Sequence, residues 1–115
     1  MPSLKIQTKT LGDFTVYSLN GELIVSTILS LKQRVLDDLT QKRSYFAMNL
    51  SQVSQIDSSG MALLNNIKKK ADEAGGHLVL FSLSKYVLDN LTQTGLLSNL
   101  VVVRDEDEFR DTFVL

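Results

Sequence analysis

Strand-like segments alternate along this chain with segments whose apolar residues recur every three or four positions, the period of a helix. The pattern predicts strands at 4–9, 14–19, 45–50, 78–83 and 100–103. It predicts a first helix capped by Ser26 or Thr27 and further helices that begin after residues 57, 84 and 105. Strands that alternate with helices form parallel pairs joined by right-handed crossovers. A turn at Leu11-Gly12-Asp13 makes the first two strands an antiparallel hairpin at the edge of the sheet.

The predicted fold class is therefore α/β, with one mixed, mostly parallel sheet, an N-terminal antiparallel hairpin and about four helices. Because consecutive right-handed crossovers place their helices on the same side, we expect the helices largely on one face of the sheet. The opposite face should be only partly covered. The second predicted helix should pack on the sheet through a stripe made of Met61, Leu64, Ile67 and Ala71.

Composition restricts the classes of function. The chain has 115 residues, 43% of them hydrophobic, which suits a single domain spanning residues 1–115. It contains no cysteine, so thiolate metal sites and cysteine nucleophiles are excluded, and we expect neither a metal nor a cofactor. Its net charge of -1 gives a nucleic-acid partner no electrostatic support. No apolar run is long enough to cross a bilayer, so we expect no membrane insertion and a cytoplasmic location.

A short polar turn runs directly into the second predicted helix and carries the strongest functional signal. Asp57, Ser58 and Ser59 are residue types that cap helices, because their side-chain oxygens accept hydrogen bonds from unpaired N–H groups of the first turn. Gly60 lets the backbone come close to a docked group. Two adjacent hydroxyls therefore lie at the positive end of a helix dipole, where an anion is favoured, including a phosphate attached to one of the serines.

This turn does not fit an enzyme. A serine nucleophile elbow has the pattern G-x-S-x-G, and Ile56 occupies the position of its first glycine. His77, the single histidine, follows the far end of the helix, over about 20 Å from Ser58 at 1.5 Å per residue. The sequence shows no metal-ligand cluster, carboxylate pair or glycine-rich phosphate loop. We interpret the chain as a non-enzyme.

Motifs spread over nearly the whole chain match a known family. The most specific is Ile56-Asp57-Ser58-Ser59-Gly60, because it lies between a predicted strand and a predicted helix. Other matching residues are Gly21-Glu22-Leu23, Leu64, Lys69, Ala71, Gly75-Gly76, Leu78, Val87, Leu91 and Gly95-Leu96. With these residues the chain resembles the STAS domain of the bacterial anti-sigma factor antagonist family.

The resemblance implies a switch between protein partners. In such a switch, an anti-sigma factor with serine kinase activity binds the unphosphorylated chain and frees its sigma factor. Phosphorylation of Ser58, the serine directly after the aspartate, then turns the antagonist off, and a PP2C-type phosphatase acts as a further partner. The residues expected to contact the partner are Gly21, Glu22, Asp57, Ser58, Ser59, Gly60 and Met61.

Local chemistry leaves other interpretations open. Ser58 considered alone is typical of a helix cap, and Asp57 combines capping with a partner contact. Ser59 is interpreted as structural, its hydroxyl satisfying backbone donors of the first turn. Lys68-Lys69-Lys70 spread over about 200° of a helix and indicate a solvated face. A second function class is a STAS structural or regulatory subunit of a transporter or scaffold complex, without a phosphorylation switch.

Overall fold

The computed structural model describes residues 1–114; Leu115, the last residue of the expected 1–115 domain, lies outside the described residues. The described chain contains five strands, four α-helices and one short 3₁₀-helix. The strands are β1 (Leu4–Leu11), β2 (Phe14–Leu23), β3 (Tyr45–Ile56), β4 (His77–Phe81) and β5 (Val101–Val103). The helices are α1 (Ile28–Thr40), α2 (Ser58–Glu73), α3 (Lys85–Gln93) and α4 (Glu106–Phe113), with the 3₁₀-helix at Leu96–Asn99.

The sheet has the strand order β1-β2-β3-β4-β5. β1 pairs with β2 in antiparallel orientation, from Leu4 opposite Gly21 to Leu11 opposite Phe14. The other three pairs are parallel. The predicted mixed, mostly parallel sheet with its N-terminal hairpin is confirmed.

Side chains of the central strands alternate between the two faces of the sheet, so each face has a hydrophobic core. The larger core contains buried side chains from α1, α2 and α3, among them Leu31, Leu64 and Leu91. The smaller core lies on the opposite face and contains Phe109 of α4 against Phe14, with ring centroids 5.0 Å apart. The three crossover helices therefore lie on one face and α4 covers part of the other, as the sequence predicted.

α2 packs on the sheet through Leu63, Leu64, Ile67 and Ala71, all of them buried. The predicted stripe omitted Leu63 and included Met61, which is only half-buried. The helix is thus rotated slightly from the predicted orientation, and the side of α2 that carries Leu63 lies closer to the core.

β3 extends to Ile56, whereas the sequence predicted its end at Leu50 and a polar connection beyond it. The extension pairs with the end of β2 after two register shifts. Within it only Val53 and Ile56 are buried. These two buried residues are three positions apart, whereas the inward-facing residues of a regular strand are two apart. The sequence therefore contains no sign that β3 continues beyond Leu50. Because β3 extends to Ile56, only Asp57 separates it from α2, and Asp57 lies beside the end of β2.

Candidate functional site

Asp57 joins the start of α2 to the loop that follows β2. Its Oδ1 accepts a hydrogen bond from the N–H of Gly60 at 3.0 Å, which caps the helix. Its Oδ2 accepts a hydrogen bond from the N–H of Val25, 32 positions earlier in the chain, also at 3.0 Å. These backbone bonds to the charged form, above all the one from Gly60, hold the pKa of Asp57 below its ordinary value of 3.8. Asp57 is therefore a carboxylate at neutral pH.

Gly60 lies where the first turn of α2 contacts the backbone of β2. A Cβ atom at this position would lie 2.2 Å from the carbonyl oxygen of Leu23. The same carbonyl oxygen accepts a hydrogen bond from the N–H of Asp57 at 3.1 Å. The close backbone approach expected at Gly60 is therefore an approach to strand β2, and it fixes how near α2 lies to the sheet.

Ser58 and Ser59 are the first two residues of α2 and differ in exposure. Ser58 is exposed, whereas Ser59 is half-buried. Within residues 1–114 neither hydroxyl makes a hydrogen bond, and the carboxylate of Asp57 satisfies the N–H of Gly60 instead. The interpretation that the Ser59 hydroxyl serves first-turn donors is therefore wrong. Ser58 thus lies exposed at the positive end of the α2 dipole.

Gly21 and Glu22 lie at the end of β2, beside the turn. Glu22 is opposite Gln55 in the parallel pairing with β3, two residues before Asp57. Gly21 has a φ of 130°, and a Cβ there would lie 2.1 Å from the carbonyl oxygen of Ser3. Gly21 is thus required for the close approach of Ser3, which directly precedes β1. Glu22 brings a half-exposed carboxylate to the edge of the site.

Thr27 stabilises the loop between β2 and α1. Its Oγ1 donates to the carbonyl oxygen of Glu22 at 2.6 Å and accepts from the N–H of Ile24 at 3.1 Å. Thr27 occupies the N-cap position of α1 but makes no side-chain cap hydrogen bond. The sequence offered Ser26 or Thr27 as the capping residue; Thr27 holds the N-cap position, but its hydroxyl fixes the loop that carries Val25 and does not cap the helix.

Met61 lies on the side of α2 that faces α3. Its sulfur is 3.7 Å from Oγ1 of Thr94, which follows the last residue of α3. The structure therefore brings the seven predicted contact residues to one end of the sheet, where β2 and β3 stop and α2 begins.

Two exposed apolar side chains beside this site were not predicted as functional residues. Val25 is 70% exposed and Leu29 is 61% exposed. Val25 lies in the loop bonded to Asp57, and Leu29 lies in the first turn of α1. The available signal was the spacing of Leu29 and Leu36, which are seven residues apart on α1 and both lie outside its buried pair, Leu31 and Val35.

Among residues 1–114, no group of three or more His, Cys, Asp or Glu side chains could hold a metal ion. None of the helices in that range has both the length and the hydropathy needed to cross a membrane.

The STAS domain profile matches residues 5–109, and the chain therefore belongs to the STAS domain family. No curated protein matches its sequence. The fold is similar to that of a candidate anti-sigma factor antagonist from Thermotoga maritima, with 25% sequence identity, a TM-score of 0.86 and 92% of each chain covered.

Two further solved structures share the fold. An anti-sigma factor antagonist from Mycobacterium paratuberculosis is 18% identical with a TM-score of 0.81, covering 91% of this chain and 89% of the other. The phosphorylated form of the Bacillus cell fate determinant SpoIIAA is 18% identical with a TM-score of 0.72, covering 93% of this chain and 98% of the other. At these identities the likeness concerns the fold.

Proposed function

We propose that this protein is an anti-sigma factor antagonist that is switched off by phosphorylation of Ser58. The observation that carries the proposal is the position of Ser58: an exposed, unbonded hydroxyl directly after the capping Asp57, at the start of α2 in a STAS domain. A relative of the same fold has been solved in a phosphorylated form, which supports a phosphorylated state for this fold.

The unphosphorylated protein binds an anti-sigma factor that has serine kinase activity, and this binding frees the sigma factor. Kinase and antagonist then react. The Ser58 Oγ attacks the γ-phosphorus of ATP, a new O–P bond forms, the bond between the γ-phosphorus and the leaving ADP oxygen breaks, and the serine proton passes to a base of the kinase. A PP2C-type phosphatase restores the hydroxyl by hydrolysis. This chain supplies the acceptor and a docking surface, and it is not itself an enzyme.

Electrostatics explain why phosphorylation would change binding and leave the fold intact. The phosphate adds about -1.5 to -2 charges at a helix N-terminus, where the dipole favours an anion. A partner packed on the unmodified turn would meet added bulk, bound water and negative charge beside the Asp57 carboxylate. A loss of about 3 kcal/mol in binding lowers affinity more than a hundredfold.

The contact surface consists of Glu22, Asp57, Ser58, Ser59 and Met61, with Gly21 and Gly60 holding the local backbone. All of these residues lie where β2 and β3 end. The proposed partners are cytoplasmic, and we place the protein in the same compartment.

The first test is phosphorylation by a purified partner. Each serine-kinase anti-sigma factor of the host is incubated with the protein and ATP, and the intact mass and the modified residue are determined. We expect one phosphate on Ser58 from the kinase that also binds the protein, and Ser59→Ala should accept phosphate equally well. An unmodified mass with stable co-purification of a transporter ATPase would favour the subunit function instead.

The second test separates binding from folding. Ser58→Ala should stay folded and bind the kinase but resist switching, whereas Ser58→Asp should stay folded and bind at least about a hundredfold more weakly. Calorimetric affinities, with circular dichroism to confirm the fold, measure both effects. Equal affinity of the phosphorylated and unphosphorylated protein would refute the switch.

A further inference from the structure

Exposed apolar side chains are concentrated along one side of α1, next to the Ser58 turn. Three of the seven large hydrophobic side chains exposed in the described residues are Val25, Leu29 and Leu36. Leu29 and Leu36 are separated by two helical turns and so lie on the same side of α1. Val25 lies in the loop just before α1, where its N–H donates to Asp57. We call these three residues the α1 stripe.

The α1 stripe borders a groove between α1 and α2. Leu36 lines this groove with Val35 of α1 and with Leu63 and Ile67 of α2, and the groove is shallow, with an enclosed volume of only about 10 Å³. Both helices begin beside Asp57 and run in the same direction, since Val25 and Gly60 both bond to that residue and Leu36 lies near Lys70. From Val25 to Leu36 the exposed surface spans roughly 16 Å, or about three helical turns.

The charged side chains of the groove are all basic. Lys32 of α1 and Lys70 of α2 line it, and no carboxylate does. Neither lysine forms an ion pair with a residue in the described part of the chain, whereas Lys68 pairs with Asp72 at 2.6 Å. Lys69 lies on a different side of α2, beside Asn65 and Glu73. Lys32 lies between Leu29 and Leu36 along α1, and Lys70 lines the same groove from α2, so basic side chains lie directly beside the α1 stripe.

We propose that the α1–α2 groove binds an acidic amphipathic helix of the same kinase partner that docks on the Ser58 turn. A helix of about three turns fits the length of the stripe, its apolar residues would cover Leu29 and Leu36, and its carboxylates would pair with Lys32 and Lys70. This inference rests on the proposed function and specifies how the partner is recognised. Phosphate on Ser58 would place negative charge at one end of an acidic ligand, which couples groove binding to the switch.

The test uses the full chain and the host kinase that phosphorylates it. The double variant Lys32→Glu/Lys70→Glu should weaken binding about tenfold or more, and Lys69→Glu, its control on the other side of α2, should change affinity by less than about twofold. Leu29→Ser should likewise weaken binding about tenfold, against Val101→Ser as a control at an exposed valine of β5. All four variants alter exposed side chains, and thermal melts verify that each one folds.

The groove inference would be overturned if the double variant bound with wild-type affinity, or if the double variant and Lys69→Glu lost equal affinity. Either result would leave the proposed phosphorylation of Ser58 unaffected. A wild-type chain that neither binds nor is phosphorylated by any host kinase would overturn the proposed function and the groove's occupant together. A stable homodimer that loses its contact in Leu29→Ser would assign the groove to a second copy of this chain and so contradict the inference.

Discussion

A single carboxylate, Asp57, connects two segments that are distant in sequence, and its charge should be visible in the pH dependence of stability. Its pKa is lowered because backbone N–H groups bond to the ionised form. A lowered pKa in the folded state means that the stabilisation is complete above the ordinary value of 3.8 and is lost as the pH falls through the lowered pKa. The free energy of unfolding, measured in urea at intervals between about pH 2 and 6, should fall with decreasing pH. We expect Asp57→Asn to make this fall, the acid limb of the curve, less steep than in the wild type.

The matched control is Asp111→Asn, an exposed carboxylate on α4. It removes one exposed carboxylate without touching the bonds of Asp57, so its curve is the reference against which the Asp57→Asn curve is compared. Asp57→Ala removes the cap as well as the charge and should lower the free energy of unfolding at pH 7 by about 1 kcal/mol. An acid limb of wild-type slope in Asp57→Asn would show that other carboxylates dominate this transition.

Gly60 should tolerate no side chain, although its φ is an ordinary helical one. In Gly60→Ala the new methyl group would meet the Leu23 carbonyl oxygen at 2.2 Å, so α2 must move away from β2. We expect a loss of about 3 kcal/mol in the free energy of unfolding, measured in urea. Ala62→Gly, at an exposed position of the same helix, should cost only about 1 kcal/mol. A Gly60→Ala protein of wild-type stability would mean that the α2–β2 contact is looser than described.

At the scale of elements, α2 depends on its buried face. Leu64 is fully buried and Ile67 is 2% exposed. Leu64→Ala and Ile67→Ala should each lower the free energy of unfolding by about 2–5 kcal/mol, because each leaves a cavity in the larger core. Asn66→Ala, on the exposed side between them, is the control and should change stability by less than about 0.5 kcal/mol. Losses of that small size at Leu64 would contradict the orientation of α2.

The sequence predicted correctly those elements whose apolar residues recur with a clear period or whose ends are marked by a capping residue or a glycine. α2 has a capping aspartate and ends before Gly75-Gly76, and both ends were predicted. The 3₁₀-helix at Leu96–Asn99 was missed, because four residues are too few to show a period. The extension of β3 was missed because its pairing with β2 is irregular. Such features depend on neighbouring strands and have no local pattern.

At the scale of the whole molecule, the two hydrophobic cores lie on opposite faces of one sheet, so we expect them to unfold together. Phe109 of α4 is fully buried and stacks on Phe81 of β4, with ring centroids 5.5 Å apart. Phe109→Ala should cost about 3–5 kcal/mol and still give a single unfolding transition by both circular dichroism and tyrosine fluorescence. Phe113→Ala, at a half-buried ring of the same helix, should cost less. Two separate transitions would show that α4 unfolds independently.

The location of the candidate site could be predicted from topology, since the carboxyl ends of parallel strands meet at one edge of the sheet. Asp57, Ser58, Gly21 and Glu22 lie there as a direct consequence. The exposure of Val25 has no local signal, because this residue lies in an irregular loop, whereas the seven-residue spacing of Leu29 and Leu36 was a signal that the prediction did not use. Sequence reasoning therefore located the phosphorylation candidate and missed the apolar surface beside it.

The bond between Asp57 and the Val25 N–H gives the molecule a built-in spectroscopic reporter. Val25 makes this bond at 3.0 Å from a segment that is remote from Ser58 in sequence. Any event that polarises or moves the Asp57 carboxylate must change the magnetic environment of that amide proton. In nitrogen-15 correlation spectra, the Val25 resonance would therefore follow modification of Ser58 without any label placed at the turn itself.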